Sequence, residues 1–65
     1  MDSETLVRAA LSERPLTMGA LVEHTGLARR TIYGVVQRLR DAGILKEQVS
    51  LRDARQTFFW LPHQG

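Results

Sequence analysis

The stretch LTMGALVEHTGLARRTIYGVVQRLRDAGIL, from Leu16 to Leu45, decides the fold. In its second half Ile32, Val35, Val36 and Leu39 fall at i, i+3, i+4 and i+7. On a helix that spacing gathers four apolar side chains within about 100° of one another. The reading is a helix over residues 29–42, ended by Gly43. Asp41 lies in its last turn, where an acid is mildly unfavourable. In the first half Met18, Leu21 and Val22 repeat the helical spacing, marking a helix over residues 17–25 with Thr17 as its cap. Gly26 stops it, at the position where a left-handed residue is commonly needed. A helix of two turns does not hold alone in water, so this one must dock on its neighbours. Only Leu27 and Ala28 separate the two helices. Ala28 has no capping oxygen, a loss on the order of 1 kcal/mol relative to Ser or Asp.

Outward from this stretch, Leu6, Val7, Ala10 and Leu11 form an amphipathic stripe on a helix over residues 3–14. Its cap is either Asp2 or Ser3, and Glu4 stands in the first turn, where the helix dipole favours an acid. Pro15 ends it, because the residue before a proline is pushed out of the helical region. Leu16 is an isolated apolar residue. From Ile44 the period shortens to two. Val49 and Leu51 alternate with polar neighbours, and Thr57-Phe58-Phe59-Trp60-Leu61 has the aromatic composition of a strand. The two segments make a hairpin over residues 44–61. The polar turn Arg52-Asp53-Ala54-Arg55 contains no Asn-Gly or Asp-Gly pair, so a loop of about four residues is expected. Asp53 is suited to ordering it by bonding its own backbone. Pro62 cannot extend a ladder and ends the strand, leaving residues 63–65 as a loose tail. Alternation puts Phe59 and Leu61 on the core face and leaves Phe58 and Trp60 partly exposed. Two readings of that second pair stand: Trp60 wraps over the first helix to complete a thin core, or the pair is a contact between two copies of the chain.

The chain has 65 residues, read as one domain over residues 1–65, and is 43% hydrophobic and 25% charged, which argues against disorder. A core of this size supplies about 3–5 kcal/mol of net stability. There is no cysteine, so no disulfide reinforces it, and His24 and His63 cannot complete a structural zinc site. No metal, cofactor or small-molecule ligand is indicated. No apolar run reaches the roughly 20 residues that span a bilayer, and the acidic start MDSETLVR is unlike a signal peptide. The expectation is a cytoplasmic protein, nucleoid-associated in a prokaryote or virus, with no membrane partner. Size and the lack of a nucleophile motif, phosphate loop or metal-ligand spacing speak against an enzyme, so no catalytic residues are assigned.

Charge is unevenly placed. The net charge is +2, but residues 1–27 carry two basic against four acidic side chains and residues 28–65 carry seven against three, so the two parts stand at −2 and +4. Eight of the nine basic residues are arginine, whose planar fork of donors suits phosphates and guanine edges. With Ile32 at the centre of the buried stripe, Arg30, Tyr33, Gly34, Gln37, Arg38 and Asp41 point outward, at about 100° to 240° from it.

Helix, helix, short turn, helix, hairpin resembles the winged helix-turn-helix superfamily, to which multiple-antibiotic-resistance regulators, arsenical-resistance repressors and several archaeal and phage regulators belong. The match is carried by a Thr-capped helix, Thr25-Gly26-Leu27, Arg29-Arg30, Thr31-Ile32-Tyr33 and Ala42-Gly43-Ile44-Leu45, with LRDARQTFFWLP from Leu51 as the wing. It covers about residues 5–62 and departs from the usual pattern at Ala28. The resemblance implies an α+β, mostly α fold: three helices with a C-terminal β-hairpin wing. It also implies sequence-specific binding of double-stranded DNA by a small transcriptional regulator, with residues 29–42 in the major groove. Arg29, Arg30, Tyr33 and Gln37 are then the groove residues, with Arg30 matched to guanine and Gln37 to adenine or phosphate. Arg38 and Arg40 touch phosphate or stay in solvent. Thr31 bonds a phosphate or packs on the second helix, and Thr17 joins the contact set. Arg52 and Arg55 at the wing tip suit a narrow minor groove or its flanking phosphates. Without room for a sensor domain, regulation would come from abundance, oligomerisation (a homodimer through Phe58 and Trp60) or a partner. Gly34, inside the third helix at a cost of roughly 1 kcal/mol relative to Ala, reads either as room for DNA, as room for another protein element, or as neutral drift. The alternative function is a protein–protein interaction module within a larger complex.

Overall fold

The computed structural model describes residues 2–62. Three helices, α1 (Ser3–Leu11), α2 (Met18–Thr25) and α3 (Arg29–Asp41), are joined by three short strands, β1 (Leu16–Thr17), β2 (Lys46–Val49) and β3 (Thr57–Trp60). The fold is α+β and mostly α, a three-helix winged helix-turn-helix with a C-terminal hairpin as the wing. His63, Gln64 and Gly65, expected to form a tail, lie outside the described residues. Among the described residues no helix is long and apolar enough to cross a membrane.

The helix ends follow the local chemistry. The Asp2 carboxylate caps α1, accepting from the Thr5 amide at 2.8 Å. Hydrogen bonding by Thr5, first through its side chain and then through this amide, holds the Asp2 carboxyl below its usual pKa. The helix ends at Leu11, three residues before Arg14. Residues 12–14 are polar and have no apolar face to bury. The chain must also leave the helix in time for Leu16 to be extended. The Thr17 hydroxyl caps α2, accepting from the Ala20 amide at 3.2 Å. Gly26 closes that helix at φ 74°. At the end of α3 Gly43 takes φ 76°. There the Gly43 amide donates to Arg40 and the Ile44 amide to Leu39, both at 2.9 Å. This is the Schellman pattern, and it turns the chain toward the sheet. Ala28 makes no side-chain cap at the start of α3.

The sheet differs from the expected two-stranded hairpin. Its order is β1-β3-β2, antiparallel throughout. Leu16 is thus not an isolated residue: it pairs with Phe59, and Thr17 with Phe58. Two residues give no periodicity to read, which hides this strand in the sequence. The connection between β2 and β3 is also longer than expected. Residues 50–56 form it, closed by the Ser50 amide donating to the Gln56 carbonyl at 2.8 Å. Inside it the Ser50 hydroxyl accepts from the Arg52 and Asp53 amides, and the Gln56 amide donates to the Asp53 carbonyl. The alternation of Val49 and Leu51 does not mark a buried face. Both are exposed and Leu51 lies outside the strand, because the wing projects beyond the helices that would cover them.

Ten buried apolar side chains make the core: Val7, Leu11, Leu16, Leu21, Ile32, Val35, Val36, Leu39, Leu45 and Phe59. The four α3 residues of the apolar stripe are all among them. Phe59 anchors the sheet to the helices and Leu61 packs at the margin, whereas Phe58 is exposed. Trp60 is partly buried but is not among the side chains packed on the core.

Candidate nucleic-acid interface

The short connection of residues 26–28 lets α3 start close to α2. Strand β1 then ties the start of α2 to the wing. Three parts of the chain converge as a result: Thr17, Met18 and Gly19 at the start of α2; Arg29, Arg30 and Tyr33 on the first turns of α3; Arg55, Gln56, Thr57 and Phe59 at the wing. They line one open groove of about 710 Å³. Its base is apolar, from Met18 and Phe59, and its rim carries three arginines.

The arginines differ in how their charge is held. Arg29 and Arg30 are exposed and make no hydrogen bond or ion pair among the described residues. Arg55 is engaged. Its Nε lies 3.1 Å from Asp53 Oδ1, its Nη2 3.4 Å from Oδ2, and its backbone amide donates to Oδ1 at 3.0 Å. These bonds, first those of the guanidinium, hold the Asp53 carboxyl below its usual pKa. Asp53 thus orders the turn through the backbone and pairs with the Arg55 guanidinium, whose side chain stays 89% exposed. Arg52, also at the tip, is exposed with no side-chain partner among the described residues.

Outside the groove, Arg38 Nε lies 3.8 Å from Glu4, which also pairs with Arg8 at 3.3 Å. Arg40 bonds Glu47 of β2 at 2.6 Å. Arg40 is therefore not simply in solvent: it ties the end of α3 to the wing. Tyr33 is 54% exposed. Thr31 is exposed rather than packed on α2, and Gln37 is partly buried. Of the residues expected at the interface, the structure brings Thr17, Arg29, Arg30, Tyr33 and Arg55 together at the groove. Arg52 stands on the far side of the wing beside Pro15, Val49 and Phe58. Sequence reasoning missed Met18, Gly19, Gln56 and Thr57, which line the groove. The one signal for them is Leu16-Thr17, an apolar–Thr pair lying between Pro15 and a capped helix.

Compared by sequence, the chain matches no family model and no curated protein. Compared by structure, it is similar to BpsR of Bordetella bronchiseptica, a protein whose DNA binding is regulated by 6-hydroxynicotinic acid. The TM-score is 0.81 at 22% sequence identity, over 94% of this chain and 45% of that one. The likeness is one of fold, and the chain spans less than half of the protein it matches.

Proposed function

We propose that the protein is a winged helix-turn-helix transcriptional regulator that binds double-stranded DNA sequence-specifically. Helix α3 enters the major groove, and the wing rests on the adjacent minor groove or its phosphates. The observation that carries this reading is the groove itself. Arg29 and Arg30, without a side-chain partner among the described residues, stand with Tyr33 opposite the wing. Charges left exposed and unpaired on a helix face cost the fold nothing in water and are ready for an anionic partner. Phosphate contacts from Arg29, Arg52 and Arg55 supply affinity and its salt dependence. Arg30 and Gln37 supply readout of base edges, and Thr17 and Thr31 bond phosphates. Arg38 joins the phosphate set by exchanging Glu4 for DNA. Pairing of two copies through Phe58 and Trp60 suits a palindromic site.

Titration of the labelled protein with duplex DNA at low salt tests the reading. Amide shifts are expected over residues 29–38 and 52–57, with change in α1 confined to the neighbourhood of Glu4, which Arg38 leaves. Absence of binding to any duplex overturns it.

A second reading, a protein-interaction module, draws on the apolar side of the wing: Leu51 is 96% exposed, Val49 50% and Phe58 36%. It predicts shifts confined to Val49, Leu51 and Phe58 on adding a protein partner, and none on adding DNA.

A further inference from the structure

We propose that Gly34 is a point of direct contact with duplex DNA, kept free of a side chain so that the backbone of α3 can seat against the groove. The proposal rests on the reading that α3 enters the major groove. It begins from a glycine that the fold does not require. Gly34 lies in the middle of α3, where glycine is the least favourable residue after proline. Its backbone is ordinary helix; positive φ occurs at Gly26 and Gly43 and not here. A Cβ built on Gly34 meets nothing within 4 Å, so no neighbouring element demands its absence. That removes the explanation by close packing within the chain.

The position then matters. Gly34 follows Tyr33 and sits one turn after Arg30, the two α3 side chains at the groove with Arg29. It faces outward between Arg30 and Arg38 on the helix surface. Arg30, Tyr33, Gln37 and Arg38, which surround it on this face, are long, so Gly34 makes a notch among them. A helix with its side chains is about 10–12 Å across, and the major groove of B-DNA is about 12 Å wide. With so little slack, a missing side chain on the inserted face decides how closely the helix approaches the groove wall.

Gly19 repeats the observation on the other helix of the pair. It is in the first turn of α2, lines the same groove as Arg29 and Arg30, and has nothing within 4 Å of a built Cβ. Both glycines within helices among the described residues therefore have room for a side chain, Gly19 exposed and Gly34 half-buried, and Gly19 borders the groove while Gly34 adjoins two residues that line it.

The test is Gly34→Ala, read by two measurements on the same protein. Thermal unfolding should show a more stable fold, with the folded-to-unfolded ratio raised roughly fivefold. Fluorescence anisotropy on a duplex selected from a random pool should show binding weakened by about tenfold or more, the scale on which an added carbon is felt at a filled contact. Gly34→Leu, also a good helix former, should stay folded and lose more. Undiminished affinity in both variants overturns the inference and leaves the DNA reading standing. If the unaltered protein binds no duplex at low salt, the DNA reading fails first and takes the inference with it.

Discussion

Arg30 and Arg55 share a guanidinium and line the same groove, yet they differ in what binding would require of them. Arg30 has no partner to give up. The Arg55 guanidinium must loosen its two bonds to Asp53 or carry that carboxylate toward the phosphates. Arg30→Ala should therefore weaken binding to a preferred duplex by about 1–3 kcal/mol, measured against a scrambled duplex. An equal loss on both would make Arg30 a phosphate contact instead. At the wing, Arg52→Ala should flatten the slope of log K against log salt by about 0.9, the share of one phosphate on B-DNA, and Arg55→Ala by less. Equal changes would show that Asp53 does not restrain Arg55. At this scale the sequence was informative about direction and silent about pairing. A helical wheel is enough to point Arg30 and Tyr33 outward. It cannot show that Glu4, thirty-four positions away, stands beside Arg38, nor that Glu47 holds Arg40, because those pairs depend on how α1 and β2 pack on α3.

Among the elements, the helices were legible and the sheet only partly so. The apolar repeat of α3 matches its four buried residues, while in α2 Leu21 is buried and Met18 and Val22 pack half-buried against the core. Thr17, Gly26 and Gly43 mark the helix ends by chemistry that acts within a few residues. Strand β1 and the long wing loop depend on long-range pairing, for which two residues and a polar segment carry no periodic signal. Thr17 links the two kinds of element, capping α2 with its side chain and pairing with Phe58 through its backbone. Thr17→Ala should lower stability by about 1 kcal/mol in urea denaturation, and Thr17→Ser should restore most of it. The wing tip should respond to acid. Because folding lowers the pKa of Asp53, its bonds stabilise the ordered tip above the ordinary carboxylate value of 3.8 and are lost as pH falls through the lower folded value. A carboxyl titration followed by NMR should give an Asp53 midpoint below 3.8, with the Arg55 Nε–H resonance moving in step. A midpoint at or above that value would mean the pair does not form in solution.

For the whole molecule the constraint is the thinness of a ten-residue core. Phe59 is the one buried residue of the hairpin's return strand, and it faces Leu16 on one side and Glu47 on the other. Removing a buried phenylalanine costs about 3–5 kcal/mol, comparable to the whole stability expected of a domain this small. Phe59→Ala should thus be largely unfolded by circular dichroism at room temperature. Trp60→Ala should stay folded, since Trp60 is not packed on the core. If two copies pair through Phe58 and Trp60 as proposed, sedimentation of Trp60→Ala should show a shift from dimer toward monomer. An unaltered protein that sediments as a monomer would end the idea of pairing through Phe58 and Trp60.

Strand β1 is only Leu16 and Thr17, but it belongs to the sheet while its next residue belongs to α2. The wing and the helix pair are therefore joined like the jaws of a caliper, with Leu16 and Phe59 as the pivot and the Arg40–Glu47 pair as a stop on the opposite side. Such a tool measures before it grips. If α3 and the wing engage neighbouring grooves, the distance between them is set by the protein, and the duplex must supply it. Two DNA sequences presenting identical bases to Arg30 would then be sorted by the width between their strands.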